Sequence, residues 1–365
     1  GRPGPVVIDV AKDVTQALHK FCYPQEQPFI RSYQPIIHAH KGQIKKAVQL
    51  FALAKRPVVF FGGGIVLANA EEELRHWIQL TGVPCVSSLM GLGAYPASHP
   101  QFLGMVGMHG TYEANMAMQQ ADVVLALGVR FDDRVISVPE KYLATAKKII
   151  HIDVDPSSIA KRVPVDVPIV GDIKLALQTM THQWEEKQLI LDHKGLQCWW
   201  EGIEQWRGRK SLSYLDDERI IKPQYVIESL AQLTRNRAYI ASDVGQHQMF
   251  VAQYYPFEKS RQWFNSGGLG TMGVGLPYAM GAQLALPQET IFCVTGDGSI
   301  QMNIQELSTC YQFKLPIKII NLNNQYLGMV RQWQEFYYEG RYSHTYMDSL
   351  PDFVKLAQAY GHVGM

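Results

Sequence analysis

The chain has 365 residues, a length that calls for two or three domains, each able to bury its own core. Hydrophobic residues make up 47% and charged residues 18%, which is too apolar for a disordered chain. With 34 Lys and Arg against 33 Asp and Glu, the net charge is +1 and the signs are interspersed, so a nucleic-acid or membrane-surface binder that works by neutralising phosphates is disfavoured.

The opening residues carry no initiator Met and no signal-like segment, so the true N-terminus is expected upstream. Residues 6–10 predict an apolar strand, the last piece of an N-terminal domain over 1–19. Residues 20–40, with Pro24, Pro28 and Pro35 and little periodicity, read as a linker. From 41 a βα alternation begins. A helix over 41–55 places Ile44, Ala47, Val48 and Phe51 on one face, a buried strand covers 57–61, Gly62, Gly63 and Gly64 make a turn, and a helix follows over 70–80. Further strands at 84–87, 122–127 and 148–152 predict a parallel sheet covered by helices, in a domain over 41–180. Residues 181–222, charged and rich in tryptophan, read as a connecting helix and linker. The βα rhythm resumes over 223–365, with a helix at 223–233, strands at 239–242, 291–295 and 317–322, and a final helix at 353–361 that ends close to Met365. The C-terminus is therefore expected to be cut as well. The five cysteines, an odd number with no C-x-x-C pair, fit neither a disulfide framework nor a zinc module, and point to a reducing cytoplasm. The longest apolar run, 58–68, is far short of the ~20 residues of a membrane helix.

The chemistry concentrates in the last unit. Strand 291–295 runs into Gly296-Asp297-Gly298-Ser299 and a helix predicted over 300–313, while strand 317–322 ends in Asn323-Asn324. Ligands of open parallel sheets bind beyond the carboxyl ends of the strands, so both loops should face one crevice. Asn324 follows Asp297 by 27 residues, about one strand-helix-strand step. A carboxylate, an amide oxygen and free N–H groups at a helix start suit Mg²⁺ holding a diphosphate. Either motif alone is a common turn or loop; the pairing at this spacing carries the reading.

This pairing resembles the signature of thiamine diphosphate enzymes, and the resemblance implies that Asp297, Asn324 and the carbonyl of Tyr326 hold Mg²⁺. Gly245-Gln246-His247-Gln248 is similar to that family's diphosphate-contacting loop. The segment Ser266-Gly267-Gly268-Leu269-Gly270-Thr271-Met272-Gly273 resembles the catalytic subunit of acetohydroxyacid (acetolactate) synthases, in which the Met supports the bent cofactor. Leu327-Gly328-Met329-Val330-Arg331-Gln332-Trp333 is similar to their substrate-pocket segment, in which the Trp favours 2-ketobutyrate. Arg2-Pro3-Gly4-Pro5 and Val10-Ala11-Lys12-Asp13 match the end of their first domain. The implied thiamine diphosphate contacts are Gly245, Gln246, His247, Gly270, Met272, Asp297, Gly298, Ser299 and Asn324, and the implied substrate pocket is Lys12, Met272, Met329, Val330 and Trp333. Outside that context Met272 reads equally as core filler and Trp333 as a packed aromatic.

The triple glycine after strand 57–61 lacks the G-x-G-x-x-G spacing and says little alone. The resemblance gives it a meaning, because the family's central domain binds FAD. Carried over, the flavin shell is Arg2, Gly62, Gly63, Gly64, Ser88, Leu89, Met90, Gly107, Met108, His109 and Gly110. It continues with Gly128, Val129, Arg130, Asp132, Arg134, Val135, Asp153, Gly171, Asp172 and Ile173. Arg130 and Arg134 suit a pyrophosphate and Asp153 a ribose or adenine, against a plain alternative of surface ion pairs with Asp132 and Asp133.

The fold class expected is α/β, with consecutive doubly wound parallel-sheet domains, a central FAD-binding domain and then a thiamine diphosphate-binding domain. The resemblance implies a transferase, acetolactate synthase, that decarboxylates pyruvate and joins the remainder to a second 2-ketoacid. The product is 2-acetolactate or 2-aceto-2-hydroxybutyrate, in valine, leucine and isoleucine biosynthesis. It also implies a homodimer or higher oligomer, a small regulatory subunit and a cytoplasmic location, without nucleic-acid or membrane partners. The family's glutamate that polarises the cofactor lies in the first domain, so no catalytic acid-base is assigned and the 365-residue form alone is expected to be inactive. The alternatives are a pyruvate oxidase or glyoxylate carboligase, which share these folds, and a non-catalytic nucleotide-binding scaffold.

Overall fold

The computed structural model describes residues 2–26 and 29–365; Gly1 and Pro28 of the sequence reading lie outside them. The strand expected over 6–10 does not form. Val6, Val7 and Ile8 are exposed, because a strand is stable only when paired and packed, and neither sheet offers these residues a partner. A short exposed helix α1 (Lys12–Gln16) follows.

The first sheet unit runs α2 (Lys41–Ala52), β1 (Pro57–Phe61), α3 (Gly63–Leu67), α4 (Glu71–Thr81), β2 (Cys85–Ser87) and β3 (Phe102–Met105). It continues through α5 (Tyr112–Gln120), β4 (Val123–Leu127), α6 (Pro139–Leu143), β5 (Lys148–Asp153), β6 (Val167–Val170) and α7 (Ile173–Glu186). The six strands are parallel in the order β3-β2-β1-β4-β5-β6, the doubly wound order that reverses between β1 and β4. Side chains alternate across it. Val59, Phe61, Leu125, Leu127, Ile150 and Ile152 face one buried cluster, and Val58, Phe60, Val124, Ala126 and Ile149 face the other, so both faces are covered and the strands read as unbroken apolar runs. In α2 the predicted face of Ile44, Ala47, Val48 and Phe51 is the buried one.

Three expectations change here. The glycines do not form a simple turn; Gly63 and Gly64 open α3. Strands β3 and β6, which lie on the two edges of the sheet, are additional to those expected. Helix α7 runs past residue 180, burying Trp184, and α8 (His193–Arg207) is fastened to the sheet unit: Trp199 Nε1 donates to the Pro57 carbonyl at 3.0 Å and Trp200 Nε1 to that of Gly82 at 3.0 Å. The tryptophans of the expected linker therefore pack and cap rather than connect.

The second unit contains α9 (Pro223–Thr234), β7 (Tyr239–Ser242), α10 (Gln246–Tyr254), β8 (Trp263–Phe264), α11 (Gly275–Ala285) and β9 (Ile291–Gly296). After these come α12 (Asp297–Ile300), α13 (Glu306–Gln312), β10 (Lys318–Leu322), α14 (Gly328–Tyr337) and α15 (Phe353–Ala359). Its four strands are parallel in the order β10-β9-β7-β8, with the reversal between β7 and β9. The single helix expected over 300–313 is broken into α12, a 3-10 turn over Gln301–Asn303, and α13. The break begins at the Asp297-Gly298-Ser299 turn, where the chain leaves β9 and the polar residues bond to the neighbouring loops instead of to a continuous helix.

Candidate functional site

Each sheet has a cavity at the point where its strand order reverses. In the second unit the cavity measures about 670 Å³ and is lined by the ends of β7, β9 and β10 and the starts of α10, α12 and α14. It gathers eleven of the predicted residues: Gly245, Gln246, His247, Met272, Asp297, Gly298, Ser299, Asn324, Tyr326, Met329 and Val330.

Asp297 joins the two loops. It is only 2% exposed. Its Oδ1 accepts from Gly298 N at 2.7 Å, and Oδ2 accepts from Asn324 N at 3.0 Å and Gln325 N at 2.6 Å. Asn324 Oδ1 accepts in turn from Tyr326 N at 3.0 Å. Among the described residues no basic side chain pairs with this carboxylate, and a buried charge without a partner is costly unless a cation joins it. No group of three His, Cys, Asp or Glu side chains placed to hold a metal ion exists among the described residues. One carboxylate with neutral oxygens beside it is instead the set that suits Mg²⁺, which draws its remaining ligands from phosphate and water.

His247 lies under the same cavity. Burial pushes its pKa down to about 4, against the pull of the Asp243 carbonyl, and its Nε2 is buried with no partner. The ring is pressed between two glycines: a Cβ at Gly245 would lie 2.7 Å from its Cε1, and one at Gly296 would lie 2.8 Å from its Nδ1. Only glycine on both strand ends leaves room for it. Ser299 Oγ donates to the Val244 carbonyl at 3.0 Å, tying α12 to the loop after β7.

The sequence reading missed Asp243. This carboxylate is fully buried, with its pKa raised by burial, and accepts from Val244 N and Gly273 N at 2.8 Å and from Thr295 Oγ1 at 3.3 Å. It thereby fastens the Met272 loop to the ends of β7 and β9. An acid directly after a strand, two residues before Gly245, was the available signal.

Trp333, Gly270 and Lys12 lie apart from this cavity. Trp333 lines a neighbouring open pocket with Met329, Val330 and Arg134, whose guanidinium stands 5.8 Å from its ring centre. Gly270, at φ +76°, donates to the Ser266 carbonyl at 2.9 Å and shapes the loop that carries Met272. Lys12 sits on the exposed α1.

The cavity of the first sheet measures about 410 Å³ and lies over the β1/β4 reversal. Of the predicted flavin shell it is lined by Arg2, Gly63, Gly64, Ser88, Met90, Gly128, Val129, Arg130, Asp132, Val135, Asp153, Asp172 and Ile173. A Cβ on Gly64 would come within 2.5 Å of Gly128 Cα, so the start of α3 and the backbone just after β4 touch and leave the crevice open above them. Burial raises the pKa of Asp153, and Asp172 caps α7 by accepting from Leu175 N at 3.0 Å. The other predicted residues do not line it. Gly62 packs against the Gly128 carbonyl and Gly171 against Ala39, while Leu89 faces Gly267. Gly107, Met108, His109 and Gly110 form a turn held by Asn115 and by the carbonyl of Arg134.

Two parallel sheets, each with its crevice at the strand reversal and the second carrying the carboxylate and amide set, define a cofactor-dependent enzyme architecture. Residues 44–180 match the family described as thiamine pyrophosphate enzyme, central domain, and residues 243–365 match its C-terminal TPP binding domain. The chain belongs to the thiamine pyrophosphate enzymes. Over its whole length it is 56% identical to the acetolactate synthase isozyme 3 large subunit of Escherichia coli, of which it covers 64%. It is 54% identical to the acetolactate synthase large subunit of Haemophilus influenzae, covering 64%, and 44% identical to the acetolactate synthase of Mycobacterium leprae, covering 59%. The chain thus spans somewhat less than two thirds of the length of these relatives. No helix among the described residues is long and apolar enough to cross a membrane.

Proposed function

We propose that this chain is the catalytic large subunit of an acetolactate synthase, a transferase that decarboxylates pyruvate and joins the remainder to pyruvate or 2-ketobutyrate. The observation that carries this reading is Asp297, buried without a counter-charge and bonded to the backbone of Asn324 and Gln325 in a cavity that also holds Met272 and His247. When bound, thiamine diphosphate supplies the electron sink for loss of CO₂, and Mg²⁺ ties its diphosphate to the protein.

Asp297, the Asn324 amide oxygen and the Tyr326 carbonyl hold the cation, and the N–H groups at the start of α10 meet the diphosphate. Phe250, Ile320 and Leu322 line the same cavity and give it apolar walls. Met329, Val330 and Trp333, with Arg134 facing them, receive the second 2-ketoacid. The cavity of the first sheet takes FAD in a structural role, with Arg130 beside the pyrophosphate and Asp153 toward the ribose or adenine. The relatives are named large subunits, which favours a small regulatory partner; the chain works as a homodimer or higher oligomer in the cytoplasm.

The test is acetolactate formation from pyruvate, with and without thiamine diphosphate and Mg²⁺, by the full reading frame and by the 365-residue chain. Activity in the full frame alone is expected, and bound flavin without any such activity would overturn the reading. Replacing Trp333 with Leu should erode the preference for 2-ketobutyrate over pyruvate, and an unchanged product ratio removes Trp333 from the pocket.

A further inference from the structure

One stretch of the second unit, residues 261–272, touches the lining of the first cavity at Val66 and Met90 and itself ends in Met272, which lines the second. Arg261, at φ +58° just before β8, reaches into the first unit. Its Nη2 donates to the Val66 carbonyl and to Asn69 Oδ1, both at 2.6 Å, and its Nη1 pairs with Glu71 Oε1 at 3.2 Å. Val66 lines the dinucleotide cavity, and its carbonyl, in the last turn of α3, is otherwise met only by N–H groups just past the helix, Asn69 N at 3.3 Å among them. A helix of five residues has little stability of its own, so its position depends on such outside partners.

Further along the same stretch Gly267 abuts Met90, which lies beside the start of α3. A Cβ on Gly267 would lie 2.5 Å from Met90 Sδ and 3.1 Å from Leu89 Cδ2, and Met90 also lines the dinucleotide cavity. Between these contacts β8 is paired with β7, and beyond them the loop closes through Thr271 N to Ser266 Oγ at 3.1 Å and presents Met272 to the thiamine cavity. Displacing α3 or Met90 therefore moves the loop that carries Met272, and the reverse.

We propose that Arg261 is a positioning residue that locks the wall of the dinucleotide cavity to the Met272 loop, so that a dinucleotide in one cavity and thiamine diphosphate in the other each tighten binding of the other. The inference rests on the FAD reading of the first cavity. The ion pair to Glu71 is half exposed on the Arg261 side and contributes little. The two bonds from Nη2, to Val66 and Asn69, carry the link, and a lysine, whose ammonium sits one bond closer to the backbone, does not reach them.

The experiment titrates FAD into the full-length protein by flavin fluorescence, with and without thiamine diphosphate and Mg²⁺. In the unsubstituted protein the second cofactor should tighten FAD about tenfold, and FAD should tighten thiamine diphosphate by the same factor. Arg261→Gln should bring both factors to within about twofold of one. Should that variant fail to fold, Arg261→Lys carries the same expectation. Glu258→Ala removes a different contact between the units, Glu258 to Ser98 N and Oγ at 3.1 and 2.8 Å, and should keep the coupling. Equal loss in Glu258→Ala, or FAD binding indifferent to thiamine diphosphate in the unsubstituted protein, overturns the role of Arg261. No FAD binding at all overturns the cavity reading and the proposal together.

Discussion

Asp297 has two jobs in one side chain under the proposed function, since its oxygens take three backbone N–H groups and its charge, which no basic side chain among the described residues meets, is the one offered to a cation. Asp297→Asn keeps the shape, removes the charge and turns an NH₂ group toward N–H donors. Affinity for thiamine diphosphate in the presence of Mg²⁺ should fall about a hundredfold, and stability should fall by about 1–3 kcal/mol because donors then face donors. A thiamine diphosphate titration followed by tryptophan fluorescence checks the first, and thermal unfolding the second; unaltered affinity would take Asp297 out of the metal set. Gly64 makes the matching case in the first unit. Its added Cβ would meet the Gly128 backbone, which cannot swing aside as a side-chain tip can. Gly64→Ala should cost about 2–3 kcal/mol of stability and weaken FAD binding, both of which denaturation and flavin titration would register.

At the scale of elements, α4 shows how packing and polarity compete. Trp77 is fully buried against Phe51 and Trp184, with ring centres 5.5 and 5.4 Å away, yet its Nε1 has no partner. Trp77→Ala should cost about 3–5 kcal/mol, whereas Trp77→Phe should cost much less, because it keeps most of the packing and removes an unpaired buried donor. Similar unfolding midpoints for the two variants would contradict that account. The elements legible in the sequence were those with strong periodic signals: the apolar runs of β1, β4 and β5, and the spaced face of α2. Strands β3, β6 and β8 escaped because short edge strands carry little alternation. The strand over 6–10 was apolar enough but had nothing to pair with. The site was legible further than the fold around it, because Asp297 and Asn324 sit at strand ends that parallel topology must bring together. Asp243 and Arg261 stayed hidden, since their partners lie in other loops that no local pattern points to.

At the scale of the whole molecule, each sheet unit buries one neutral histidine. His151, on β5, bonds through Nε2 to the Val129 carbonyl just past β4 at 2.8 Å, stacks edge-on to Phe131, and has its pKa lowered by burial to about 4. His247 is held at about 4 for the same reason. An unfolded histidine titrates near 6.5, so as pH falls from there toward 4 the unfolded chain takes up protons that the folded chain refuses, and stability declines. From these values the loss at pH 5 is about 2 kcal/mol for each histidine relative to pH 8. Asp153 and Asp243, whose pKa values burial raises, act in the opposite direction but only nearer the carboxylate range, so the histidine effect is read between pH 7 and 5. Thermal midpoints should therefore fall across that interval, and the NMR signals of both imidazole rings should keep their neutral positions down to pH 5. A ring that titrates near 6.5 in the folded protein would show that its unit admits water where the packing closes it off, and the acid sensitivity of that unit would then need another source.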